Sequence, residues 1–486
     1  MTMNSSPVVK TAVGLDVGTT GVKALAVAQD GEVVGRAEVG YGLSTPRPGW
    51  SEQDPEDWWR ATQQALEQLG ASEVAGIGLS GQMHGLVALD AGERVLRPAI
   101  LWNDQRTGAE CEAIEERVGL ERLIAATGNR ALTGFTAPKL LWLREHEPEV
   151  HERIAHILLP KDYVRLRLCG ERAIDVADAS GTLLFDVAHR RWSDEVCEAL
   201  EIDTALLPRA LESPEVSGRT ADGVPVAAGA GDQAAGALGV GVVEAGAPLS
   251  VVLGTSGVVF SALPAFAADR EARVHAFCHA VPETWHAMGV MLSAAGSLAW
   301  LRDTVAPGAE YGTLVEEAAE WKPGVEGLTF LPYLAGERTP HADPEARGAF
   351  AGLSLRHDRG GLVRAVLEGV AFGLRDSLDL IAELGPLPDR GRVSGGGARS
   401  EEWLRIVASV LELPLERTAA DEGAAFGAAL LGGVAGGLWS SPAEAVGATV
   451  RPVSTVEPVA EWIEPYRERR ETFRALYPAL RDIAQI

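Results

Sequence analysis

The chain has 486 residues, 46% hydrophobic and 23% charged, and 68 acidic against 43 basic side chains give it a net charge of −25. Such a length favours more than one domain, and with no basic run in the sequence, neither nucleic acid nor an anionic membrane surface is expected as a partner. Cys111, Cys169, Cys197 and Cys278 form no C-x-x-C and no Cys/His spacing, so they read as reduced thiols of a cytoplasmic protein and not as a metal site.

Residues Met1–Lys10 lack the charged and apolar regions of a secretory signal, and no apolar stretch reaches the roughly 20 residues of a membrane span. Apolar runs at 11–16, 22–28 and 32–39 read as strands, the last two joined by the hairpin step Asp30-Gly31. After a loop at 46–55, Asp54 and Pro55 give an N-cap and first-turn proline for a helix that carries Trp58 and Trp59 to about Leu69. A buried strand at 74–79 leads into the turn Ser80–Gly85. Residues 105–118 and 137–156 read as amphipathic helices, and a strand at 224–228 runs into Gly229–Gly236. A boundary near 243–248 then divides the chain into residues 1–243 and 244–486. The second half repeats the theme, with hairpins from Leu249, a Gly-rich turn at Ser394–Arg399, a turn from Asp421 into a tightly packed helix, and a helical tail from Glu461. Alternating strands and helices predict an α/β fold.

One phrase occurs twice, 236 residues apart: Gly18-Thr-Thr-Gly-Val22 and Gly254-Thr-Ser-Gly-Val258. Each lies between apolar β-branched runs and reads as a hairpin tip offering backbone N–H groups and hydroxyls, a donor set suited to phosphate oxygens. Two similar domains closing on one nucleotide is the economical interpretation. Thr19, Thr20 and Lys23 belong to the first tip, Thr255 and Ser256 to the second. Asp16 stands two residues before Gly18 where the second copy has Val252, so only one side brings a carboxylate, as expected of the side that handles Mg²⁺. The alternative is an Asp that bonds its own turn.

Asp232 follows a strand and a Gly-Ala-Gly turn and opens an apolar helix; it is either a base that takes a proton from a substrate hydroxyl or an ordinary N-cap. In Ser80–Gly85, Gln82 and His84 offer hydrogen bonds to a polyol and Met83 an apolar wall, against a structural His and a core Met. In Trp102–Arg106, Asn103, Asp104 and Arg106 could read hydroxyls and Asp104 is the preferred sugar contact, the alternative being a turn with a surface ion pair. The glycines of Ser394–Ser400, Gly396 and Gly397 among them, suit close approach to adenine or ribose or a plain helix-start turn. No P-loop, clean G-x-G-x-x-G, G-x-S-x-G or H-E-x-x-H motif is present.

The phrases Gly49–Pro55, Gly81–Gly85, Ile100–Asp104, Gly134–Trp142, Leu159–Tyr163 and Gly229–Asp232 resemble the FGGY carbohydrate kinases nearly end to end. Gly134–His146 fits one family signature throughout, and Gly348–Glu368 fits the second except at Gly361, where a polar side chain is usual. The resemblance implies two ribonuclease-H-like domains of the actin/hexokinase type around a central cleft. Within the family it is strongest to the branch that converts ATP and D-xylulose to ADP and D-xylulose 5-phosphate. It implies that Asp232 is the general base, that Asp16 acts through Mg²⁺ and the phosphates, and that Met83 and His84 contact the sugar. Thr19, Thr20, Lys23, Thr255 and Ser256 would hold phosphates, and Gly396 and Gly397 would lie on the adenine side. Gln233 stands where many relatives have Asn, and its longer arm bears on sugar preference. Family analogy adds a homodimer to the expectations. A kinase for another polyol such as ribulose or glycerol is the alternative; a non-catalytic sugar sensor or a chaperone-like ATPase of the same superfold would leave the base or the sugar phrases without purpose.

Overall fold

A computed structural model describes residues 10–420 and 422–484; Met1–Val9 and Asp421 of the sequence expectations lie outside them. The first half builds strands β1 (Thr11–Val17), β2 (Gly21–Ala28) and β3 (Val33–Gly40), helix α1 (Pro55–Leu69), strand β4 (Val74–Gly81), and helices α2 (Thr136–His146), α3 (Pro160–Cys169) and α4 (Val176–Ser180). Strands β5 (Val216–Arg219), β6 (Pro225–Ala227) and β7 (Ala230–Gly231) and helix α5 (Asp232–Gly239) follow. The second half contributes β8 (Leu249–Leu253), β9 (Gly257–Leu263), β10 (His275–Cys278), β11 (Trp285–Met291), α6 (Arg359–Ala382), β12 (Gly391–Ser394), α7 (Glu401–Leu411), β13 (Leu415–Thr418), α8 (Ala424–Ala435), β14 (Pro452–Val456) and α9 (Ala460–Ala484).

These strands form two mixed sheets of one design. The first runs β5-β6-β4-β1-β2-β3 with β7 also on β4, and the second runs β10-β11-β9-β8-β12-β13-β14. In each, the opening strand is central: β1 pairs antiparallel with β2 and parallel with β4, while β8 pairs antiparallel with β9 and parallel with β12. The repeated phrase therefore occupies the same place in both sheets, at the tip of the first hairpin. Both opening strands are buried over most of their length, which accounts for their near-continuous apolar runs.

Helix α1 starts as its sequence dictates, with the Asp54 carboxylate accepting the N–H of Glu56 at 3.0 Å. The helix expected over 137–156 is broken instead. Helix α2 ends at His146, Glu147 leaves the helical region at φ −131° and ψ 56°, a single turn spans Pro148–His151, and a short strand covers His156–Leu158. Pro148 is the cause, because a proline ring disfavours helical backbone in the residue before it.

Although α8 follows the second sheet in the chain, it lies on the first. It packs along β1, β4 and α5, and small residues permit the approach. A Cβ on Gly78 would overlap the carbonyl oxygen of Ala428, and one on Gly427 would overlap that of Ala235. The seam between halves is thus nearly backbone against backbone, which fixes α5, and Asp232 at its start, relative to β1. No helix among the described residues is long and apolar enough to cross a membrane.

Candidate functional site

The first turn is braced from behind. Gln53 Nε2 donates to the carbonyl of Thr19 at 2.7 Å, and Trp102 Nε1 donates to Thr19 Oγ1 at 3.1 Å. Tyr41 donates its hydroxyl proton to the carbonyl of Gly18. With Thr19 so engaged, Thr20 is the exposed hydroxyl of the turn. Gln82 belongs to the brace: its side chain contacts Gln53 at 2.9 Å, Gly18 O at 3.3 Å and Thr19 Oγ1 at 3.4 Å, and it is 2% exposed. Its hydrogen-bonding capacity is spent on the turn and not held out for a polyol.

Asp16 ends β1 opposite Lys23 on β2 and Ser80 on β4. Its Oδ1 is buried with no hydrogen-bond partner among the described residues. Burial pushes the carboxyl up to about 6, opposed by the Ser80 hydroxyl and by Lys23. An orphaned carboxylate oxygen beside a phosphate turn fits a hard cation, bound directly or through water. Among the described residues no three His, Cys, Asp or Glu side chains gather into a metal cage, and a nucleotide-bound ion needs only one or two carboxylates beside the phosphates. Lys23 pairs with Glu422, at the entrance to α8, and so ties the first hairpin to the second half of the chain.

Asp232 is the first residue of α5, with Gly231 at the cap position and no side-chain cap, so its carboxylate is not consumed by the helix. Among the described residues its one side-chain partner is the next residue, Gln233, whose Nε2 donates to Oδ1 at 3.2 Å. Burial is the main cause that raises its carboxyl to about 7; the nearby charge of Asp16 adds to this and Gln233 opposes it. Asp16 thus lies near enough for its charge to act on Asp232, and burial holds both carboxyls above the usual carboxylate range.

Met83 packs against the turn that launches α5: a Cβ built at Gly231 would stand 2.8 Å from Met83 Cγ. His84 follows at φ +69°, a left-handed conformation uncommon outside glycine. Its carbonyl is pinned by Lys139 Nζ at 2.8 Å and Thr136 Oγ1 at 3.1 Å, and Lys139 also donates to the carbonyl of Gly134. The His84 ring nitrogen Nδ1 lies 2.8 Å from Gly181 O, and the ring packs edge-on to Phe135. Burial, with Lys139 and Arg338 nearby, lowers His84 to about 3. The ring is neutral, so Nδ1–H donates to Gly181 and Nε2 is left as an acceptor.

Asp104 is placed differently from its expected role. Fully buried, it receives Arg106 through Nε at 2.9 Å and an end nitrogen at 2.7 Å, as well as the N–H of Ser51 at 2.6 Å. Its carboxylate is taken up by Arg106 and Ser51 in a turn whose ion pair is buried and not at the surface as the alternative had it.

The second turn is held by backbone alone: the N–H groups of Ala294 and Ala295 donate to Thr255 O and Gly254 O, each at 2.8 Å. Thr255 is exposed and Ser256 half-buried, so both hydroxyls are free to meet a ligand. The Gly395–Gly397 turn adjoins it. A Cβ on Gly397 would press on Leu253 and Trp403, whereas Gly396 faces open space. Of the two, Gly396 presents the flat approach and Gly397 is a packing glycine.

Sequence reasoning assigned no role to the braces Gln53, Tyr41 and Trp102, to Lys139, or to Glu422. Their partners lie far away in the chain; Glu422 is 399 residues from Lys23. The phrases Gly49–Pro55, Ile100–Asp104 and Gly134–Trp142 contain Gln53, Trp102 and Lys139, and the turn from Asp421 contains Glu422, without showing what those side chains bond.

Residues 11–239 match the N-terminal domain, and residues 249–436 the C-terminal domain, of the FGGY family of carbohydrate kinases. The chain is 45% identical over 482 residues to the xylulose kinase of Escherichia coli strain K12, covering 96% of this chain and 99% of that one. It is 37% identical over 490 residues to the xylulose kinase of Bacillus subtilis strain 168, covering 98% of each. The solved structure of xylulose kinase from Rhodospirillum rubrum superposes with a TM-score of 0.90 at 33% identity, over 97% of this chain and 99% of that chain.

Proposed function

The chain belongs to the FGGY family of carbohydrate kinases, and from that premise we propose that it transfers the γ-phosphoryl group of ATP to the 5-hydroxyl of D-xylulose. In this reading residues 1–243 carry the sugar pocket, the base and the first phosphate turn, and residues 244–486 carry the second turn and the adenine side. The carrying observation is the carboxylate of Asp232, left free by its helix, raised to about 7 and set against Met83 beside the neutral His84. The relatives named as xylulose kinases support the choice of sugar.

The sugar lies along Met83 with a hydroxyl toward the acceptor nitrogen of His84, which places O5 at Asp232. Asp232 takes the O5 proton as O5 attacks the γ-phosphorus and ADP departs. A carboxylate with a pKa near the working pH suits a proton transfer that runs in either direction. Backbone N–H groups of the two hairpin tips, with Thr20, Thr255 and Ser256, hold the phosphates in line, and Gly396 admits the adenine side. Asp16 would hold a magnesium ion together with the phosphates, and the ion would supply charge neutralisation there. Positioning and charge neutralisation, more than covalent chemistry, are what this reaction asks of a protein.

ADP release measured with Mg·ATP against D-xylulose, L-xylulose, D-ribulose, glycerol, gluconate and no sugar tests the proposal. A clear preference for D-xylulose over a low background is expected. Preference for another sugar overturns the substrate assignment, and silence on all of them overturns the activity.

A further inference from the structure

Arg338 comes from the second half of the chain, on a segment fastened to β11. Thr339 N–H donates to Val290 O at 2.9 Å, Val290 N–H returns to Thr339 Oγ1 at 3.0 Å, and the buried Glu337 accepts the N–H groups of Leu292 at 3.0 Å and Arg338 at 2.7 Å. Nothing in that segment takes up the Arg338 guanidinium. Glu337 bonds to the backbone of Arg338, its other oxygen has no partner among the described residues, and burial raises its carboxyl to about 8. No described residue accepts a side-chain hydrogen bond or ion pair from Arg338, although almost every other arginine of the interior has one.

The guanidinium crosses instead to the first half. A Cβ built at Gly134 would lie 3.9 Å from one of its end nitrogens, and its charge is felt at His84 and at His275. Phe135, next to Gly134, packs edge-on to both of those rings. Arg338 thus stands at the His84 end of the sugar pocket, whereas Asp232 stands at the Met83 end. A half-buried guanidinium carries five N–H donors and no acceptor, so it suits a ligand group that offers acceptors.

Resting on the reading of the previous subsection, we propose that Arg338 is a specificity residue for the end of the sugar remote from the transferred phosphoryl group, donating to the C2 carbonyl oxygen of the ketose. A hydroxyl in its place offers a weaker acceptor and brings a proton of its own that finds no acceptor on the guanidinium. The site therefore selects a ketopentose over the corresponding pentitol. Since Arg338 and His84 come from different halves, the contact also forms only when the two halves are apposed around the sugar.

The test compares D-xylulose with xylitol, its reduced counterpart, in wild type, Arg338→Met and Arg338→Lys. Wild type is expected to favour D-xylulose in kcat/KM. In Arg338→Met that preference falls about ten- to hundredfold, mainly through KM for D-xylulose, with Arg338→Lys between the two. KM for ATP moves less than about threefold, as a loss of one uniform sugar contact requires. The ratio of two sugars on one preparation cancels partial misfolding. Wild type that binds xylitol as tightly as D-xylulose in a calorimetric titration overturns the assignment with no variant needed. An unchanged preference in the lysine and methionine variants, or a rise confined to KM for ATP, which would assign the guanidinium to phosphate, overturns it too. Wild type with no turnover of D-xylulose overturns the proposed function, and this inference with it.

Discussion

Gln233 Nε2 donates to Oδ1 of Asp232 over 3.2 Å, the one side-chain hydrogen bond that this carboxylate receives among the described residues. It favours the ionised form against burial and the charge of Asp16, both of which raise the pKa. Replacing Gln233 with Leu removes the donor, so the pKa of Asp232 climbs above its value of about 7. The acid limb of kcat/KM against pH then moves to higher pH, and activity at pH 6.5 drops more than activity at pH 8.5. A profile that stays in place, or moves to lower pH, shows that this bond does not tune the base.

Asp232→Asn separates chemistry from stability. Loss of the base lowers kcat by about 10²- to 10⁴-fold. The native carboxyl titrates near 7 against an unfolded value near 3.8, so native Asp232 is stabilising in its protonated form. That contribution is fully present below about pH 4 and is lost as pH rises through 7. The amide cannot ionise, so the variant is expected to melt higher than wild type at pH 8 and alike at pH 4.5. Scanning calorimetry at the two pH values checks this; a variant less stable at pH 8 would refute the burial account.

Asp16→Asn tests the cation role of the orphaned oxygen. The variant is expected to need about tenfold or more Mg²⁺ for half-maximal sugar phosphorylation, since a neutral amide is a poorer ligand for a hard cation. Magnesium titration of wild type and variant at saturating ATP and sugar gives the answer, and coincident curves would place Asp16 outside the metal's reach.

The seam between halves makes a prediction about folding alone. Gly78→Ala drives a methyl group into the backbone of α8 and is expected to cost about 3 kcal/mol or more. Gly108→Ala, where a Cβ meets nothing within 4 Å at the start of a helix, is the matched control and is expected to be neutral or slightly stabilising. Urea unfolding of both proteins measures the difference; equal midpoints would mean that α8 does not pack on β4 as described.

The sequence by itself determined what is local. The two hairpin tips, the α1 start at Asp54 and the carboxylates Asp16 and Asp232 could all be read from it, because turn chemistry, capping and β-branched runs act over a few residues. The doubled phrase even carried the symmetry of the two sheets, since each copy opens its own sheet as the central strand. Tertiary structure decided how side chains spend their hydrogen bonds. Gln82 and Asp104 looked free in the sequence, yet one braces the turn of Thr19 and the other holds Arg106 and Ser51. Lys139 on His84, Glu422 on Lys23 and Arg338 near His84 depend on contacts across 55 to 399 residues or between halves of the chain, for which no local pattern exists. A donor's partner is set by which backbone arrives beside it. For Glu422 on Lys23 that is fixed by the glycine seam that lays α8 on the first sheet, a relation between distant small residues that becomes legible only when the two halves are packed together.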